Sequence, residues 1–136
     1  MKILVDTNVV MDELLDRQPH FAGSSTVWAA SESRTAEGVL AAYTVTTIHY
    51  LIRRVHGAAR AGQAVGAILR VFSVAPVDDG IVREASGLSS PDFEDAVTAV
   101  AALRAGCDII VTRDPKGFRG SPVTVLAPEA AAPLLV

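Results

Sequence analysis

Short apolar segments that alternate with amphipathic ones are the feature that most restricts the fold of this chain. Residues 2–6 (KILVD) form the first such segment, and residues 108–114 (DIIVTRD) form a similar one near the other end. Both are too short for buried helices and carry their apolar residues in continuous runs, which is typical of strands buried on both faces. The longer segments between them show the apolar spacing of helices. This alternation predicts a parallel sheet with helices on both faces.

The complete pattern predicts a three-layer α/β/α sandwich with a central, mainly parallel sheet of four to five strands. Further strands are predicted at 38–44, 72–77 and 122–126. Helices are predicted at 21–33, 46–57, 58–73, 79–87 and 92–106, and a short closing helix or tail at 128–136. No repeat, linker or low-complexity segment interrupts the pattern, so we expect one domain that spans residues 1–136.

The composition is that of an ordinary globular domain. Half of the 136 residues are apolar and the formal net charge is −3, so no overall positive field indicates nucleic-acid binding. The sequence contains no run of about eighteen apolar residues, so it predicts no membrane span. The single cysteine, Cys107, cannot form an internal disulfide, which favours a reducing compartment. We therefore expect a cytoplasmic protein with no membrane partner.

Aspartates stand where three segments are expected to meet. Asp6 and Asp114 end two predicted strands, and Asp92 and Asp95 open the helix predicted at 92–106. A helix that leads into a parallel strand starts above the carboxyl edge of the sheet, where ligands gather, so all three segments deliver carboxylates to that edge. Carboxylates repel one another when they lie so close together, and a divalent cation removes the repulsion. Oxygen ligands suit Mg²⁺ or Mn²⁺, and the pattern predicts metal-dependent phosphodiester hydrolysis.

Each aspartate also has a purely structural interpretation that the residues alone leave open. Asp6 can form the turn after its strand, and Asp114 can begin a type I turn. Asp92 can cap its helix. Asp95 lies deeper in the helix, where aspartate is a poor helix former, and this position favours a function. Glu94 is expected on a different side of the helix, in solvent.

With these residues assembled, the chain resembles the PIN domain family. The matching segments are 3–12 (ILVDTNVVMD), 91–103 (PDFEDAVTAVAAL) and 109–118 (IIVTRDPKGF). The resemblance covers nearly the whole chain. Residues 47–54 (TIHYLIRR) are similar to a prokaryotic branch that is grouped with VapC-type toxins.

The resemblance implies a Mg²⁺- or Mn²⁺-dependent endoribonuclease, usually a homodimer and often inhibited by an antitoxin protein. The family shares carboxylates that bind the metal and act in catalysis, and the matching positions here are Asp6, Asp95 and Asp114. Asp92 resembles an additional metal-binding acid of some members. Asn8 resembles a polar partner of these carboxylates, and Thr112 matches the hydroxyl residue before the last acid.

The central helix departs from the pattern of the family. Members commonly carry a glutamate there, but this sequence has no acidic residue between Glu37 and Asp78. Thr46, Thr47 or His49 occupies that neighbourhood. The alternative to a nuclease is therefore a catalytically weak or inactive PIN-like module that binds RNA or protein.

A phosphatase or phosphotransferase of the haloacid-dehalogenase type is a second enzymatic alternative. Residues 3–8 (ILVDTN) are similar to the opening of such enzymes, in which the aspartate at the strand end is the nucleophile. Those enzymes need a second acid two residues later, where this chain has Asn8, and no lysine is placed to match theirs.

Basic residues near the predicted acidic site are candidates for contacts with RNA. Arg113 and Lys116 lie on either side of the last aspartate in the loop after its strand, where they can meet backbone phosphates. Arg53 shares one polar stripe of its helix with His49 and His56, and this stripe can also contact RNA. Ordinary loop charges and a solvated helix face are the structural alternatives.

Overall fold

Five short strands form one parallel sheet in the computed structural model, which describes residues 1–136. The strands are β1 (Lys2–Val5), β2 (Glu37–Ala41), β3 (Ser73–Ala75), β4 (Ile109–Val111) and β5 (Thr124–Leu126). Their order is β3-β2-β1-β4-β5, and every neighbouring pair is parallel. This arrangement confirms the predicted sheet.

Seven α-helices connect the strands and cover the sheet. They are α1 (Thr7–Leu14), α2 (Phe21–Glu32), α3 (Ala42–His56), α4 (Ala58–Val71), α5 (Asp79–Ser86), α6 (Phe93–Arg104) and α7 (Pro128–Ala131). The chain also contains two single 3₁₀ turns, at Pro115–Phe118 between β4 and β5 and at Ala132–Leu134 after α7. None of these helices combines the length and the apolar character needed to cross a lipid bilayer.

The central strand β1 separates two apolar cores. Ile3 and Val5 point to one face, where they join residues of α1 to α4 and of α7. Leu4 points to the other face, where it packs with Ile110 and with residues of α6. Side chains of α5 pack against α6 in a further cluster on this layer. The alternation is that of a strand buried on both sides, and it confirms the three-layer α/β/α sandwich.

Two boundaries differ from the sequence prediction. We predicted no element between the first strand and residue 21, but α1 begins directly after β1, with Asp6 as its N-cap. We also predicted a strand over 38–44, whereas β2 ends at Ala41 and α3 begins at Ala42. Both junctions lack the glycine or proline that normally marks a boundary. At the boundary between β2 and α3, the tyrosine and threonine residues on their own favour a strand. The packing of α3 on α4 overrides this preference.

Gly38 should tolerate no side chain, because β2 passes close to buried groups at this position. A Cβ atom on Gly38 would lie 2.5 Å from Ser31 Oγ and 2.6 Å from Phe72 Cδ1. We expect Gly38→Ala to lower the free energy of unfolding by about 1–3 kcal/mol in urea denaturation. Gly62→Ala is the matched control: nothing lies within 4 Å of its Cβ position in α4, and we expect it to stabilise by about 0.5–1 kcal/mol. Equal stability of the two variants would contradict this packing.

Candidate functional site

Five carboxylates line a single open cavity at the carboxyl edge of the sheet. Its volume is about 350 Å³. The carboxylates belong to Asp6, Asp92, Glu94, Asp95 and Asp114. The remaining lining residues are Thr7, Asn8, Met11, Arg17, Thr47 and Leu51. The structure therefore brings together all four aspartates that the sequence singled out.

The pairing of β1 with β4 sets the position of Asp6. Its backbone N–H continues the ladder by donating to Val111 O at 2.9 Å. Its carboxylate is then held from both sides: Thr112 Oγ1 donates to Oδ2 at 2.7 Å, and Thr7 N–H donates to Oδ1 at 2.8 Å. The same aspartate thus ends a strand, caps a helix and presents a fixed carboxylate to the cavity.

Thr112 and Asn8 connect the two aspartates at the strand ends. Thr112 is fully buried, and its Oγ1 accepts a hydrogen bond from the backbone N–H of Asp114 at 3.1 Å. Asn8 Nδ2 donates to the same Oγ1 at 3.4 Å, and Asn8 Oδ1 accepts from Arg113 N–H at 3.3 Å. The loop that carries Asp114 is therefore tied to α1. This geometry is consistent with the supporting roles that the family resemblance implies for Asn8 and Thr112.

The start of α6 contributes three of the five carboxylates. Asp92 is the N-cap, and its Oδ1 accepts from Asp95 N–H at 3.0 Å. Asp95 lies in the first turn of the helix, and its carboxylate makes no hydrogen bond. Glu94 is exposed, as predicted, but the prediction that it lies on a different side of the helix was wrong, because it lines the same cavity. Neighbouring residues at the start of a helix point in different directions, but the cavity is broad enough for both position 94 and position 95 to border it.

Gly117 makes room for the carboxylate of Asp95. A Cβ atom at this position would overlap Asp95 Oδ2 and would lie 3.8 Å from Asp114 Oδ2. The carbonyl oxygen of Gly117 accepts from Ser90 Oγ at 3.2 Å, which ties the 3₁₀ turn to the segment before α6. The backbone thus leaves a space that the Asp95 carboxylate fills from the adjacent helix.

Burial and mutual repulsion raise the pKa values of three of these groups. Desolvation, and then the charges of the other four carboxylates, raises the pKa of Asp95 to about 7. Desolvation also raises the pKa of Asp6, although its hydrogen bonds from two threonines act in the opposite direction. The pKa of Glu94 is raised by desolvation and by the charges of Asp92 and Asp6. Such shifts are common where carboxylates share a site that a cation can neutralise.

The donor set of the cavity fits a hard, hydrated divalent cation. All five acidic groups offer oxygen, which Mg²⁺ and Mn²⁺ prefer. No three of them lie close enough to form a ready-made ligand cluster. The space between them is large enough for water, and Mg²⁺ characteristically binds through one or two carboxylates while it keeps several waters. The residues therefore fit an ion that is held partly through its water shell.

Arg113 is not placed as the phosphate contact that we predicted. Its Nε donates to Asp12 Oδ2 at 2.5 Å and its Nη2 donates to Asp12 Oδ1 at 3.1 Å. Asp12 is fully buried and also accepts from Ser24 Oγ at 3.0 Å. Removing Arg113 would leave the buried charge of Asp12 without its partner, so Arg113 is committed to holding the β4 loop against α1 and α2. Nothing in the local sequence marked Asp12 as its partner.

The other two predicted RNA contacts lie outside the cavity. Lys116 is exposed in the first 3₁₀ turn, and Arg53 is exposed on α3 beside Tyr50 and Arg54. Their contacts with RNA stay predictions. Two α3 residues, Thr47 and Leu51, line the cavity, so this helix contributes a hydroxyl group there and no acid, whereas the family commonly has an acid on it.

Ionisation of Asp95 should make the metal-free protein less stable as pH rises. Its pKa is about 7 when folded and 3.8 as an ordinary aspartate, so folding holds the carboxyl group protonated between these values. The resulting stabilisation is complete below about pH 4 and is lost as pH rises through 7. In urea denaturation with a chelator present, we expect a lower midpoint at pH 8 than at pH 5, and a smaller difference for Asp95→Asn. Identical pH dependence of the two proteins would contradict this.

Gly117→Ala should weaken binding of Mn²⁺ much more than it weakens the fold. The added methyl group displaces the Asp95 carboxylate, which borders an open cavity and can move outward. We expect a loss of roughly tenfold or more in Mn²⁺ affinity, measured by calorimetry. Gly62→Ala again serves as the control and should bind Mn²⁺ like the wild type. An unchanged Mn²⁺ affinity in Gly117→Ala would show that Asp95 takes no part in the site.

Comparisons with known proteins agree with this architecture. A family model for the PIN domain matches residues 2–116. No curated protein matches the sequence. One similar solved structure is VapBC2 from Rickettsia felis, bound to a DNA fragment from its promoter, with 11% identity, a TM-score of 0.71, and 93% of this chain and 98% of that chain covered.

Two further solved structures show the same arrangement. FitAcB from Neisseria gonorrhoeae has 20% identity and a TM-score of 0.70, with 93% of this chain and 98% of that chain covered. VapC20 from Mycobacterium tuberculosis, a toxin that cleaves the sarcin-ricin loop, has 18% identity and a TM-score of 0.62, with 79% and 86% covered. At these identities the likeness concerns the fold, and the family rests on the model match. The chain belongs to the PIN domain family.

Proposed function

We propose that this protein is a Mg²⁺- or Mn²⁺-dependent endoribonuclease that acts as the toxin of a type II toxin–antitoxin pair. One observation carries the proposal: Asp6, Asp95 and Asp114 come from three separate segments and line the same cavity. Neither Asp95 nor Asp114 has a cationic partner, since the four ion pairs of the structure involve other acids. Carboxylates left without partners in this way are suited to a cation.

In this proposal the residues of the chain divide into those that hold the cation and those that hold the carboxylates. Asp6, Asp95 and Asp114 would hold the ion, either directly or through its bound waters, and Asp92 would add a further carboxylate beside them. When bound, the ion activates a water molecule and neutralises charge on the phosphoryl group during in-line displacement. Thr112 donates to Asp6 and accepts from the Asp114 backbone, so it keeps the two carboxylates at a fixed spacing.

The structural neighbours support RNA as the proposed substrate and an antitoxin as the proposed partner. VapC20 is described as a toxin that cleaves the sarcin-ricin loop, and a similar structure from Klebsiella pneumoniae is described as a toxin–antitoxin complex. We also propose a homodimer, on the strength of the family resemblance.

A PIN-like module with little or no catalysis is the second candidate. Thr47 supports it, since α3 presents a hydroxyl instead of a carboxylate to the cavity. The wide spacing of the carboxylates supports it as well. A phosphatase of the haloacid-dehalogenase type has no such support: Asn8 is hydrogen-bonded to Thr112 and to the Arg113 backbone, and no lysine lines the cavity.

Asp6→Asn should abolish RNA cleavage while leaving the protein folded. The amide oxygen can still accept from Thr7 N–H and the amide nitrogen can donate to Thr112 Oγ1, but an amide is a poor ligand for Mg²⁺ or Mn²⁺. We expect the wild type to cut single-stranded RNA in Mn²⁺ and to stop with a chelator, and the variant to lose activity about 100-fold or more, measured by gel assay. Asp108→Asn, at the opposite edge of the sheet just before β4, is the matched control and should cut normally.

The two candidate functions give different results in this experiment. A wild-type protein that binds RNA but cuts none in any divalent cation would favour the binding module. A variant Asp6→Asn that cuts as fast as the wild type would exclude this cavity as the nuclease site.

A further inference from the structure

Arg17 is the one cationic residue among the eleven that line the acidic cavity. It lies in the segment between α1 and α2, and its backbone N–H donates to Asp12 O at 3.0 Å. The segment is therefore anchored to the end of α1, while the side chain is exposed at the rim of the cavity. Sequence reasoning did not single out this residue, because it lies in a connecting segment that carries no recognisable motif.

The guanidinium of Arg17 is uncommitted although five carboxylates share its cavity. It makes no ion pair within 4.0 Å and no side-chain hydrogen bond. Three other arginines, at positions 83, 104 and 113, are paired with acids in this structure. An arginine whose only task was to neutralise carboxylates would be expected to form at least one such pair, as these do.

The cavity is negatively charged, so an anionic substrate can approach it only where a positive group receives the substrate. Five carboxylates face one guanidinium, and a single divalent ion leaves the cavity negative when the carboxylates are ionised. A phosphodiester that approaches this cavity meets a repulsive field unless a positive group receives it. Arginine matches phosphate with two parallel N–H donors and holds its charge at every physiological pH.

We propose that Arg17 binds a backbone phosphate of the RNA and positions the chain over the carboxylates. This inference rests on the nuclease function proposed above. It transfers to Arg17 the role that the sequence had suggested for Arg113, which is committed to Asp12. Arg17 is a substrate contact here, distinct from the residues that hold the metal.

The test is the salt dependence of RNA binding by the full chain. A labelled single-stranded RNA of mixed sequence is titrated with protein in Ca²⁺ at several KCl concentrations, and a gel verifies that the RNA is intact. One phosphate contact to a single strand contributes about 0.7 to the slope of log affinity against log salt. We expect Arg17→Ala to bind roughly tenfold more weakly at low salt and to reduce the slope by about 0.7. Arg17→Lys should keep the slope and recover part of the affinity.

Arg70→Ala is the matched control. Arg70 is exposed near the end of α4, which leads into β3 at the opposite edge of the sheet. The same loss of charge there should leave the slope and the affinity unchanged. Thermal stability and Mn²⁺ affinity, measured on all variants, report any role of Arg17 in the fold or in the metal site.

Each outcome decides between the interpretations. An RNA affinity and slope in Arg17→Ala equal to those of the wild type would overturn the inference and leave the nuclease function intact. A loss of RNA affinity that is matched by a loss of Mn²⁺ affinity or of thermal stability would overturn it too, and would make Arg17 a structural residue. A wild type that neither binds nor cuts RNA would instead contradict the proposed function itself, and this inference with it.

Discussion

The parallel pairing of β1 with β4 is the constraint on which the site depends. The register places Val5 opposite Val111, so that the two strands end side by side and their next residues meet at one edge. Asp6 and Thr112 are those residues, and the hydrogen bond between them closes the pairing. A shift of one residue in this register would send Asp6 and Thr112 to opposite faces of the sheet. The burial of Leu4 and Ile110 in one core, and of Ile3 and Val5 in the other, prevents such a shift.

The cavity opposes folding, and the rest of the molecule compensates for it. Burial, and then the charges of the neighbouring carboxylates, raise the pKa of Asp95. The pair of the buried Asp12 and the partly buried Arg113, in contrast, fixes the loop that carries the last aspartate. Breaking such a pair by removing one partner leaves an uncompensated buried charge, which is strongly destabilising. We therefore interpret Asp12 and Arg113 as the group that keeps Asp114 in place against this repulsion. The carboxylates of Asp95 and Asp114 are free to bind a cation because they make no ion pair with the rest of the molecule.

Sequence reasoning predicted the layers, the sheet and the meeting point of the four aspartates, because buried strands and strand-end acids follow local rules. It did not predict features that depend on contacts between distant segments. The Arg113 side chain points inward because it pairs with Asp12 in α1, which also accepts a hydrogen bond from Ser24 in α2. The place of Glu94 depends on how α6 meets the cavity, and the need for glycine at position 117 depends on the Asp95 carboxylate. The start of α3 at Ala42 was missed for the same reason.

The anomalous scattering of Mn²⁺ in crystals of the wild-type protein tests the central claim most directly. If aspartates from three segments form one cation site, a single strong peak, or two neighbouring ones, should appear in the cavity between Asp6, Asp95 and Asp114. At least one of these carboxylates should lie within direct ligand distance, with water completing the shell. Saturating Mn²⁺ that leaves this cavity without a peak, or that binds only at other carboxylates, would contradict the account.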